Sequence, residues 1–169
     1  MKDALVLREA VREDVSTILG LICELASFEK LSHQVVATEE ILLKTLFGER
    51  PVAEVLIAEV AGEAVGFALY FYSFSTFLGR PGIYLEDLYV KPPFRKKGIG
   101  KRFLHELARR AVERECGRVE WAVLDWNRSA IGFYESLGAR PMSDWITYRL
   151  TGDELERVAQ EDAFTENGE

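Results

Sequence analysis

Three strand-like runs in close succession, stopped by a pair of prolines, constrain the fold of this chain more than any other feature. Ala53 to Val60 and Ala64 to Ser75 are apolar and rich in strand-forming residues, and Ala61-Gly62-Glu63 between them is a hairpin signal. The turn Gly79-Arg80-Pro81-Gly82 leads into a third run, Ile83 to Val90. Lys91-Pro92-Pro93 then ends pairing, because proline has no N–H to donate to a ladder. Turns this short return the chain antiparallel.

Helical periodicity flanks that meander. Ahead of it lies a short strand, Ala4 to Glu9, then a first helix carrying Val15, Ile18, Leu19, Ile22, Leu25 and Ala26 at helical spacing. A break at Leu31 to Val36 precedes Thr38, an N-cap for a second helix that Gly48 and Pro51 stop. Behind the prolines, a long helix is predicted from about Gly98 to Cys116 and a strand from Val119 to Leu124. Asn127 caps a further helix that Gly138 closes, and Trp145 to Leu150 reads as the last strand. The order βααβββαβαβ predicts a mixed α/β domain, antiparallel in front with parallel crossovers behind. Neither repeat nor linker interrupts it, so residues 1–169 are expected to form one domain, with a frayed acidic tail over about 163–169.

Composition narrows the function. A net charge of -7 would repel a phosphate backbone, so no nucleic acid is expected as partner, while a cationic substrate suits it. The longest apolar run, Ala64 to Tyr72, is too short to span a bilayer, and Met1 to Ala10 lacks the apolar segment of a signal peptide. With His33 and His105 alone and no Cys/His cluster, no metal is expected. Cys23 and Cys116 are expected to be buried free thiols, which places the protein in the cytoplasm, away from membranes.

The segment richest in chemistry is Val90-Lys91-Pro92-Pro93-Phe94-Arg95-Lys96-Lys97-Gly98-Ile99-Gly100, a strand end turning into a helix through a basic loop. Its glycines let backbone approach a ligand, and the free N–H groups and positive dipole end of the helix favour an anion such as a pyrophosphate. An ordinary glycine-bearing helix start with solvated lysines fits the loop alone equally well. It is no P-loop, and Phe103 stands where a dinucleotide fingerprint needs its third glycine.

The neighbours of the loop complete a pattern. Tyr84-Leu85-Glu86-Asp87-Leu88-Tyr89-Val90 precedes it, and Trp126 to Ala139 follows with N-x-S-A-x-x-F-Y-x-x-x-G, from Asn127 through Ser129, Ala130, Phe133 and Tyr134 to Gly138. Together with R-x-x-G-x-G at Arg95, Gly98 and Gly100, these motifs resemble the GNAT acetyltransferases. Leu7-Arg8-Glu9-Ala10, Glu24-Leu25-Ala26, Phe28-Glu29, Phe47-Gly48 and Val65-Gly66-Phe67-Ala68 extend the match. Within that superfamily the chain resembles the spermidine/spermine and thialysine N-acetyltransferases over roughly Leu5 to Leu150.

The resemblance implies the GNAT fold, a mostly antiparallel central sheet flanked by helices and splayed around the coenzyme. It further implies transfer of an acetyl group from acetyl-CoA to a small primary amine: a diamine, a polyamine or a lysine-like amino acid. Such an amine is almost wholly protonated at neutral pH and must lose a proton before it attacks. By the family pattern Glu86 assists that step through water, and Tyr134 protonates the departing thiolate. The coenzyme residues implied are Leu88, Tyr89 and Val90, whose backbone would receive the pantetheine arm. Arg95, Lys96, Lys97, Gly98, Ile99, Gly100 and Lys101 would hold the pyrophosphate, joined by Asn127, Arg128, Ser129, Ala130 and Tyr134. Phe28, Glu29, Glu86, Asp87, Glu120, Trp121 and Ala122 fall on the amine side. Strand alternation puts Asp87 on the face opposite Glu86, so the two carboxylates are expected to differ in role. The family also implies a homodimer, to which Trp145 and Tyr148 would add apolar contact. Acetylation of a protein or peptide amine, and a non-catalytic acetyl-CoA sensor, remain open alternatives.

Overall fold

Hairpin chemistry at the centre of the chain sets the architecture. In the computed structural model, which describes residues 4–160, Val60 pairs with Glu63 across the two-residue turn Ala61-Gly62, and both turn residues have positive φ (52° and 79°). That turn joins β2 (Glu54–Val60) to β3 (Glu63–Ser75), and a second joins β3 to β4 (Arg80–Val90). With β1 (Leu5–Glu9) beside β2 and β5 (Val119–Trp121) beside β4, the sheet order is β1-β2-β3-β4-β5. The first four strands are antiparallel, and β4 and β5 are parallel. This is the mixed, mostly antiparallel sheet predicted. The chain divides into two units at Ala122/Val123, and the sheet lies wholly in the first.

In the first unit, α1 (Val15–Phe28) and α2 (Glu39–Phe47) cover one face of the sheet. Val15, Ile18, Leu21, Leu25, Leu42 and Leu46 form one buried cluster with Val55, Ile57, Phe67 and Tyr89 of the strands. Thr38 caps α2 as predicted, its hydroxyl accepting from the Ile41 N–H at 3.2 Å. The buried stripe of α1 leaves Cys23 exposed, and Cys116, beyond the end of α3 (Ile99–Glu113), is half-buried. The expectation of buried thiols is therefore corrected: residue 23 stands about 200° around the helix from the core-facing Leu25.

The helix α3 covers the other face, burying Ile99, Phe103, Leu104, Leu107 and Ala111. Its Arg110 donates to the Tyr70 hydroxyl at 2.8 Å, and that hydroxyl bonds Glu54 at 2.5 Å. Because cross-strand partners share a face, Leu85, opposite Tyr70, lies on the α3 side, whereas Tyr89, opposite Phe67, lies on the α1 side. Both are odd-numbered residues of one strand, so the alternation must slip between them. It slips at Glu86: Leu69 pairs with Asp87 and Tyr70 with Leu85, leaving Glu86 as the extra residue of a β-bulge.

The second unit holds α4 (Arg128–Ser136) and α5 (Gly152–Gln160). Asn127 caps α4 by accepting from the Ala130 N–H at 3.2 Å, and Gly138 (φ 86°) closes it, with the Ala139 N–H bonding the Tyr134 carbonyl at 3.2 Å. Two strand expectations are corrected here and at the boundary. β5 stops at Trp121 rather than Leu124, and Trp145 to Leu150 forms no strand. Its β-rich pattern has no pairing partner among the described residues, and Trp145 and Tyr148 stand 72% and 90% exposed. The sequence reading missed α5, whose start carries Asp153 and Glu154 and whose last turn carries Arg157. The predicted frayed tail at 163–169 lies outside the described residues.

Candidate active site

The bulge at Glu86 builds the acidic half of the site. Glu86 is exposed, while Asp87 turns to the α1 face and is half-buried. Burial pushes the Asp87 carboxyl up to about 6, and the negative charges of Glu86 and then Glu29 push in the same direction. Glu29, just past the C-terminus of α1, has its own carboxyl raised by burial. Asp87 thus lies in the field of two other carboxylates expected from the sequence, although 57 residues separate Glu29 from Glu86 in the chain. Lys30, the residue after Glu29, stands at φ 63° where the chain leaves α1, with the Leu31 N–H bonding the Ala26 carbonyl at 2.8 Å.

Beyond the bulge β4 runs on past the end of its parallel neighbour, the edge strand β5. β5 pairs with Ile83, Tyr84 and Leu85 only, so among the described residues no strand covers that edge of β4 over Glu86–Val90. The backbone of Leu88, Tyr89 and Val90 therefore offers one open edge, the geometry an extended ligand arm needs to add as a strand. Next come a turn of 3-10 helix at Pro92–Phe94 and the basic loop. Lys96 and Gly98 adopt positive φ (60° and 84°), and Gly98 is the N-cap of α3 without any side-chain cap bond. The first N–H groups of α3 are thus left without an internal partner. A Cβ built on Gly98 meets nothing within 4 Å, and Lys96, Lys97 and Lys101 are exposed around it. An uncapped helix N-terminus, open space and three lysines fit a pyrophosphate.

Arg95 does not extend into that space. Its Nε donates to the Val90 carbonyl at 2.8 Å, and its guanidinium carbon lies 4.3 Å from the ring centre of Phe28 and 5.5 Å from that of Tyr89. The Tyr89 hydroxyl in turn donates to Glu24 of α1 at 3.1 Å. Nothing in the motifs hints at this joint between α1 and the loop, because motif spacing is blind to contacts between residues 67 apart (28 and 95).

On β5, Glu120 is paired with Arg118 at 2.8 Å, Trp121 is half-buried and Ala122 exposed. In the second unit, Asn127 spends its side-chain oxygen on the α4 cap, and Arg128 and Ser129 are exposed at the start of that helix. Tyr134 is half-buried, its ring centre 5.4 Å from that of Phe133. Among the described residues no group of three or more His, Cys, Asp or Glu side chains is arranged to hold a metal, and no helix is long and apolar enough to cross a membrane.

Comparison with known proteins agrees with this geometry. Residues 21–139 match the Acetyltransferase (GNAT) family. The chain is 42% identical over 164 residues to a thialysine N-epsilon-acetyltransferase of Bos taurus, covering 90% of this chain and 96% of that one. It is 34% identical over 197 residues to an L-ornithine N5-acetyltransferase of Arabidopsis thaliana, covering 90% and 86% respectively. Among solved structures, an integron cassette protein from the mobile metagenome of V. cholerae superposes with a TM-score of 0.79 at 26% identity, over 93% of this chain and 98% of that one. With residues 21–139 matching the family and named acetyltransferases 34% and 42% identical over most of both chains, the chain belongs to the Acetyltransferase (GNAT) family and is an acyltransferase.

Proposed function

We propose that this acyltransferase moves the acetyl group of acetyl-CoA onto a small primary amine that carries a second charged group: a diamine, a polyamine or a lysine-like amino acid. The observation that carries the reading is the carboxylate group of Glu29, Glu86 and Asp87, in which the half-buried Asp87 is raised to about 6 by burial and by its two acidic neighbours. Like charges held together in a partly desolvated pocket are relieved by a cation, and an ammonium supplies both charge and donors. Relatives named for thialysine and ornithine, amino acids with a side-chain amine, support the same substrate class.

Acetyl-CoA, when bound, supplies a thioester whose carbonyl an amine attacks. The N-terminus of α3 with Lys96, Lys97 and Lys101 holds the pyrophosphate, with backbone from Gly98 to Gly100 approaching closely. The open edge of β4 at Leu88–Val90 receives the pantetheine arm and turns an N–H toward the carbonyl oxygen. Glu86, exposed at the bulge, accepts the amine proton through water, and Asp87 and Glu29 hold the distal charge beside Phe28. Glu120, Trp121 and Ala122 border the amine. Tyr134 donates its phenolic proton to the thiolate, and Asn127, Arg128, Ser129 and Ala130 add polar contacts to the coenzyme. The protein acts as a cytoplasmic homodimer. An assay of acetyl-CoA turnover against matched monoamines, diamines, polyamines, lysine analogues and peptides tests the reading. Diamines or lysine-like amino acids should give the highest kcat/KM; preference for a peptide amine, or no turnover with any amine, would overturn it.

A further inference from the structure

Arg95 opens the basic loop, yet its guanidinium is engaged away from the cradle. One face stacks on Phe28 at 4.3 Å, Tyr89 lies 5.5 Å away, and Nε is fixed by the Val90 carbonyl at 2.8 Å. Phe28 is the last residue of α1 and adjoins Glu29; Lys96, the next residue of the loop, already has positive φ, as does Gly98 at the head of α3. The side chain therefore bridges the end of α1, on the amine side, and the first turn of the anion cradle. The ring it rests on is 39% exposed, so this is a surface joint rather than part of the core.

We propose that Arg95 is a positioning residue that couples the two halves of the site: stacked on Phe28 and tied to Val90, it sets the loop from Lys96 to Gly98 according to where the end of α1 stands. The inference rests on the proposed use of that loop for the coenzyme. A guanidinium on an aromatic face contributes modestly where it is exposed and more where it is shielded, corresponding to roughly 3- to 30-fold in an equilibrium constant. Phe28, which lies on the amine side, should then be felt at the coenzyme. By reciprocity, the coenzyme should be felt at the end of α1. Tyr89 reinforces the joint, because its hydroxyl is anchored on Glu24, one turn before Phe28 on the same helix.

The test is a double-mutant cycle read by calorimetric titration with coenzyme A, using Phe28→Leu, Arg95→Gln and the pair. Phe28→Leu should weaken coenzyme A roughly 3- to 30-fold, and the double variant should bind no more weakly than Arg95→Gln alone. Phe28→Tyr, which keeps the ring, should restore wild-type affinity; a merely structural role would give no such rescue at unchanged thermal midpoint. Phe28→Leu binding coenzyme A within twofold of wild type, or strictly additive losses, would overturn the coupling while leaving the acetyltransferase reading intact. Failure of the wild-type chain itself to bind coenzyme A would overturn both.

Discussion

Replacing Gly98 with aspartate and, separately, with asparagine distinguishes the two demands on that position. The backbone there sits at φ 84°, which costs about 1 kcal/mol for a residue with a Cβ and somewhat less for Asp or Asn. Nothing lies within 4 Å of the added Cβ, so neither variant clashes, and both should lower the thermal midpoint by the same few degrees. They differ in charge alone. One negative charge about 5 Å from one phosphate charge, at an effective dielectric constant near 20, contributes about 3 kcal/mol, roughly two orders of magnitude in Kd. At a ligand concentration about 100 times the wild-type Kd, acetyl-CoA should stabilise the wild-type protein by about 2.7 kcal/mol. For Gly98→Asp the same concentration is then near its Kd, and the stabilisation falls to about 0.4 kcal/mol. Differential scanning fluorimetry with and without acetyl-CoA reads this directly: a clear upward shift for wild type and Gly98→Asn, almost none for Gly98→Asp. Full shifts in both variants would move the coenzyme elsewhere, and equal loss in both would show that shape rather than charge decides.

Tyr134→Phe should lower kcat by roughly ten- to a thousandfold with little change in coenzyme affinity, since only a proton donor is removed; full turnover would mean that water protonates the thiolate. Glu29→Gln should raise KM for a diamine far more than for a monoamine of similar size, and added salt should weaken the diamine preference; equal effects on both amines would sink the acidic-pocket reading. Asp87 titrates near 6 in the fold against 3.8 for a free side chain, so its ionised form opposes folding; the penalty is absent below about pH 3.8 and grows as pH rises to 6. Asp87→Asn should therefore raise stability at pH 8 by on the order of 2 kcal/mol and change it little at pH 4, and a pH-independent difference in chemical denaturation would refute the assigned environment. Sedimentation at micromolar concentration should give a dimer mass, and a monomer would remove the role proposed for the exposed Trp145 and Tyr148.

Local chemistry made much of the fold legible. The Ala61-Gly62 turn, the Thr38 and Asn127 caps and the Pro92-Pro93 stop are set by neighbours in the chain, and each was read within a residue or two. The strand assigned to Trp145–Leu150 failed because residue pattern reports what a segment tolerates, whereas a strand also requires an edge to pair with. The helix at Gly152–Gln160 was overlooked for the opposite reason: few apolar residues mark it, and its signal lies in charge order at its ends. Motifs named the cradle and the carboxylates. They did not give the slip at Glu86, the inward turn of Asp87 or the seat of Arg95 on Phe28, all of which depend on register and packing between distant segments.

The bulge at Glu86 gives β4 one position at which chain length can change without changing the cross-strand partners. A substitution at Glu86 removes one carboxylate and leaves its neighbours where they are. Deleting the residue would restore regular pairing with Leu85 still opposite Tyr70 and Asp87 still opposite Leu69, so Tyr89 stays in the α1 cluster with its hydroxyl on Glu24. A gap of one codon elsewhere in β4 has no spare residue to absorb it and would turn the residues on one side of it to the wrong face of the sheet. Variation in the rest of this strand should run through exchanges of residues, while insertions and deletions collect in the turn before it and at the bulge.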